Sequence, residues 1–85
     1  MDNLASIIGL LAAALTSLSY IPQLRKALPR GSTEDISLRM LIVLSSGLSL
    51  WIVYGVIQKD WVITLANVVG LFFVGAVLVC KVRDL

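Results

Sequence analysis

Apolar residues fill three long stretches of the chain, and charged residues gather between and after them. The first stretch runs from about Leu4 to Leu24, the second from about Leu38 to Ile57, the third from about Trp61 to Cys80. Each matches the roughly 20 residues with which a helix crosses a hydrocarbon core of about 30 Å. No water satisfies backbone N–H and C=O groups in lipid, so such stretches fold as helices. Between the first two lies RKALPRGSTEDIS, where Pro29 and Gly31 are turn formers and Ser37 is placed to cap the second helix. Only QKD separates the second stretch from the third, which makes those two helices antiparallel neighbours. No low-complexity segment interrupts the pattern, and residues 1–85 read as one all-α domain of three transmembrane helices.

Composition agrees with the pattern. Hydrophobic residues make up 59 % of the 85 positions and charged ones 14 %, against roughly a quarter charged in soluble domains. The chain therefore reads as an integral membrane protein with lipid as its solvent. Arg25, Lys26, Arg30 and Arg39 lie in or beside the first loop, and Lys81 and Arg83 follow the third helix. Lys59 alone faces the opposite side, so basic residues divide six to one. That bias sets the first loop and the C-terminus in the cytoplasm and the N-terminus outside; the expected location is the cell inner membrane. The net charge of +2 is explained by topology, and with no basic stripe interleaved with aromatics, nucleic acid is not an expected partner. Asp2 precedes the first apolar run and the positive residues follow it, the reverse of a signal peptide, so this helix reads as retained.

Chemistry is sparse. There is no histidine, and Cys80 is a single thiol in an apolar run. No metal-ligating cluster, nucleophile–base pair or cofactor motif is present, so no cofactor is expected and an enzyme is disfavoured. In the first helix Gly9, Ala13, Thr16, Tyr20 and Gln23 fall on one face, opposite Leu10, Leu11, Leu15 and Leu18. Small residues on a membrane helix serve close packing, and polar ones a pathway lining; the spacing leaves both open. Pro22 removes a backbone donor and crowds the Leu18 carbonyl, giving either a static kink or a hinge.

Trp51 and Tyr54 share one face of the second helix. Tryptophan usually marks the membrane interface, as Trp61 does, but Trp51 lies about 9 Å inside the outer helix end by helix rise. Asn67 sits at the same depth on the third helix. An aromatic face beside an amide suits a sugar, whose C–H groups stack while its hydroxyls bond. An asparagine in a membrane helix also serves as interhelical glue. No Asp, Glu, His, Lys or Arg lies mid-span, which points to passive movement of a neutral solute rather than ion coupling. Three helices are too few to enclose a path. A two-fold dimer supplies more, and because the charge bias orients every copy alike it is a parallel homodimer of six helices. Two copies each of Trp51 and Asn67 would then enclose a small polar cavity.

YIPQ (Tyr20 to Gln23), DIS (Asp35 to Ser37), LWIVYG (Leu50 to Gly55) and AN (Ala66, Asn67) together resemble the SemiSWEET family. These are bacterial half-size relatives of the SWEET sugar transporters within the PQ-loop, or MtN3-like, superfamily. The resemblance covers almost the whole chain. It implies helices arranged in space as first, third, second, and uniport of a mono- or disaccharide by alternating access. It implies sugar binding by Trp51 and Asn67 of both protomers and a hinge at Pro22 and Gln23. Tyr54 and Asp60 resemble the outer gate, and Tyr20, Met40 and Leu44 the inner one. Some members carry arginine where this chain has Gln58, which makes Lys59 the candidate partner of Asp60. Two other readings compete. A PQ-loop amino-acid carrier is disfavoured by the missing intramembrane carboxylates, and a non-transporting membrane subunit or assembly factor by the polar pair at matched depth.

Overall fold

A computed structural model describes residues 3–85 and contains three helices: α1 (Asn3–Ala27), α2 (Leu38–Ile57) and α3 (Trp61–Arg83). Asp2 lies outside the described residues. All three helices are long and apolar enough to cross a membrane. The Cα atoms extend over 45 × 22 × 13 Å, a slab one helix thick. α3 forms the middle of the slab and packs on both α1 and α2.

α2 packs on α3 along a narrow stripe that includes Leu41, Leu48 and Gly55. Gly55 permits the closest approach: a Cβ there would stand 2.5 Å from Thr64 Oγ1 and 3.0 Å from the Thr64 nitrogen. Further in, Leu48 lies beside Gly70. These two contacts fix an antiparallel register in which Trp51 and Asn67 lie at the same level.

α1 runs parallel to α3. A Cβ on Gly9 would meet Val62 Cγ1 at 2.9 Å, and Tyr20 lies against Gly70 and Phe73. The packed face is Ser6, Gly9, Ala13, Ser17, Tyr20, Leu24 and Ala27, spaced three or four apart, as a straight helical stripe requires. Its upper part is small, which lets the backbones approach. Leu10, Leu11, Leu15 and Leu18 point away from α3 and are exposed on the protomer surface.

Because α3 separates α1 from α2, the first loop must pass over the C-terminal end of α3. That end grips it. Arg83 donates from Nη1 to the Leu28 carbonyl (2.8 Å) and from Nη2 to those of Ala27 and Pro29 (3.2 and 3.1 Å). Asp84 accepts the Gly31 N–H (3.0 Å) and the Thr33 hydroxyl (2.6 Å), and Lys81 donates to the Thr33 carbonyl (2.8 Å). Thr33 is wholly buried. Gly31 has φ +83°, and the Ser32 N–H donates back to the Pro29 carbonyl, a turn of the type that places glycine third. Arg25, Lys26 and Ala27 continue α1 past the apolar run, because the Arg83 fork and the Ser32 hydroxyl satisfy carbonyls at its end.

Candidate functional site

Towards one end of the slab, α1 and α2 stand apart on either side of α3 and leave a cleft floored by it. This cavity of about 460 Å³ is lined by Tyr20, Gln23 and Lys26 from α1, Met40, Leu41 and Leu44 from α2, and Phe73, Val74 and Val77 from α3, with Ile36 of the loop. Tyr20, Met40 and Leu44, which the family resemblance likens to an inner gate, border one space together with Gln23. Pro22 lies inside α1, which continues as helix on both sides of it. The polar face of α1 divides its work: Gly9 and Ala13 pack on α3, Tyr20 packs and lines, and Gln23 lines.

Towards the opposite end of the slab, Trp51 and Tyr54 form an edge-to-face pair with centroids 5.5 Å apart at 88°. They remain 52 % and 49 % exposed. With Gly47 and Leu50 they border a shallow hollow made wholly of α2 residues. Asn67 lies at the level of Trp51 but does not line this hollow. Its amide nitrogen donates to the Ile63 carbonyl one turn back at 2.7 Å. A primary amide has two donor hydrogens and an acceptor oxygen, so one donor and the oxygen keep their capacity for a ligand.

Asp60 begins α3. Its carboxylate accepts the Ile63 N–H at 3.2 Å as an N-cap, a signal visible in sequence as an aspartate just before an apolar run. Lys59 has φ +55° and ends α2: its N–H reaches the Val56 carbonyl (3.1 Å) and the Asp60 N–H that of Gly55 (2.8 Å). Those two bonds make a Schellman motif. Lys59 makes no ion pair with Asp60 in this conformation; among the described residues the ion pair is Arg83 with Asp84 at 2.8 Å. The set that sequence reasoning missed is the loop clamp of Thr33, Lys81, Arg83 and Asp84. Its signal was weak, because the charge bias already accounted for Lys81 and Arg83.

The model of the PQ loop repeat matches residues 4–64. A sugar transporter SemiSWEET of Leptospira biflexa is 44 % identical over 84 residues, covering 99 % of this chain and 95 % of that one. The chain belongs to the SemiSWEET family. Two solved structures agree. A bacterial homologue of SWEET transporters superposes with TM-score 0.88 at 35 % identity, covering 96 % of this chain and 99 % of the other. A SemiSWEET in the inward-open conformation gives 0.86 at 34 % identity, covering 95 % and 87 %. With its three spans, the protein is a multi-pass membrane protein.

Proposed function

We propose that this SemiSWEET is a facilitative sugar transporter that works by alternating access as a parallel homodimer. The observation that carries the reading is Trp51, half exposed deep inside a membrane span and level with Asn67. Lipid offers an indole N–H no acceptor at that depth, whereas a sugar between two protomers offers hydroxyls to the N–H and C–H groups to the ring. Relatives named as sugar transporters support the same substrate class.

The slab geometry supports the dimer. A layer one helix thick borders a path on one side only, and a second copy related by a two-fold axis along the membrane normal supplies the other. Trp51 and Asn67 of both copies then surround the substrate. Tyr54, Asp60 and Lys59 form the outer gate, and Tyr20, Met40 and Leu44 the inner one. Pro22 and Gln23 form the hinge of α1, between Tyr20 and Lys26 on the wall of the cleft. The protein lies in the inner membrane with its N-terminus outside and its C-terminus and clamped loop in the cytoplasm. Transport is uncoupled, because no Asp, Glu, His, Lys or Arg lies mid-span to bind a driving ion.

Flux of a panel of radiolabelled mono- and disaccharides into proteoliposomes tests this. At least one sugar should equilibrate across the membrane, and imposed proton or sodium gradients should leave its final distribution at unity. Absence of flux for every sugar, or concentrative uptake under either gradient, would contradict the proposal.

A further inference from the structure

One large side chain on the wall of the cleft is drawn back against α3. Tyr20 projects from α1, but its ring lies across α3 instead of spanning the gap towards Met40 and Leu44. Two features of α3 receive it. The Phe73 ring lies nearly parallel to it, with centroids 6.0 Å apart and planes at 18°. Gly70, one turn earlier, presents bare backbone: a Cβ there would lie 3.4 Å from the Tyr20 hydroxyl oxygen and 3.5 Å from Cε2. An alanine would therefore just touch the ring, and any side chain with γ carbons would lift it. Tyr20 is two residues from Pro22, so bending of α1 there moves the ring relative to this surface.

We propose that Gly70 and Phe73 are positioning residues that seat Tyr20 in its retracted place and so set how often the inner gate stands open. The inference rests on the reading of Tyr20 as an inner-gate residue. The seat acts as a competitor for the ring. In place, the aromatic pair and the glycine hold it on α3 and the cleft is clear. Off the seat, the ring swings towards Met40 and Leu44 and narrows the passage. Substitutions that weaken the seat shift the balance towards closure without touching substrate.

A reporter cysteine at Leu50→Cys, in a Cys80→Ala background, lies outward of Tyr20 in the hollow beside Trp51. Its initial rate of modification by a membrane-impermeant thiol reagent, applied from the cytoplasmic side of inside-out vesicles, reads the open fraction without any sugar. Gly70→Ala should leave the rate near that of the parent. Gly70→Val and Phe73→Leu should slow it about fivefold, the worth of one aromatic pair. Phe73→Tyr, which keeps the ring face, should restore it. In a Tyr20→Ala background the rate should be high and indifferent to Gly70→Val. Slowing of equal size with and without the Tyr20 ring would overturn the seat while leaving the gate reading intact. If Tyr20→Ala does not speed the labelling of the slowed Phe73→Leu protein, both readings fall. Should Gly70→Val fail to assemble, the Phe73→Leu and Phe73→Tyr pair decides alone.

Discussion

Lys59 occupies a backbone position that suits glycine better. Its φ of +55° is the left-handed conformation that closes the Schellman end of α2. A side chain with a Cβ is disfavoured there by roughly 1–2 kcal/mol, offset in part by the greater freedom glycine has when unfolded. Lys59→Gly should therefore leave stability unchanged or raise it by up to about 1 kcal/mol, measured by denaturation in detergent. The same variant tests the outer gate. If the ammonium latches Asp60 in another state, flux should change although stability does not fall. Unaltered flux would leave Lys59 a backbone link and no more. Single-residue roles near the helix ends were legible where local chemistry decides them. Ser37 accepts the Met40 N–H at 3.1 Å and caps α2, as its place before an apolar run predicts. A positive φ on lysine, in contrast, has no marker in sequence.

Among the elements, the junction of α1, the first loop and the end of α3 is tied by hydrogen bonds spanning more than 50 residues. The Asp84 carboxylate is 7 % exposed and held well below the usual carboxylate range. Hydrogen bonds from Arg83 dominate, followed by those from the Thr33 hydroxyl and the Gly31 N–H. A depressed pKa stabilises the fold wherever the carboxyl is ionised in both states, that is, above the ordinary value of 3.8. The contribution fades as pH falls below that value towards the lowered one. Asp84→Asn should thus lower the melting temperature by a constant amount at neutral and mildly acidic pH, with the gap closing only in strong acid. A gap that widens on acidification would contradict the clamp.

Pro22→Ala tests the element above the clamp. Restoring an N–H donor for the Leu18 carbonyl should stiffen α1, so the dimer should persist while flux falls. Full flux would make the kink static. Sequence pattern showed that α2 and α3 are neighbours, because three residues allow nothing else. It could not show Thr33 against Asp84. That contact exists because α3 lies between α1 and α2, and helical periodicity does not encode which neighbour a face will meet. For that order, the family resemblance was the guide.

At the scale of the molecule, a flat layer of three helices carries an open cleft at its basic end and a half-exposed aromatic pair towards the other. The depth of Trp51 and Asn67 was legible from helix rise and agrees with the register fixed at Gly55 and Leu48. The bond from Asn67 to Ile63 was not, since a back-bonded amide and a free one look alike in sequence. The central claim is that Trp51 and Asn67 bind sugar rather than hold helices together. The direct measurement is a sugar titration of Trp51→Ala and Asn67→Ala, with dimer content determined on the same preparations. Each variant should assemble as a dimer and bind sugar about tenfold more weakly or worse, as expected for losing a ligand-binding group. Weakened dimerisation in both, with the remaining dimers binding sugar normally, would contradict the account.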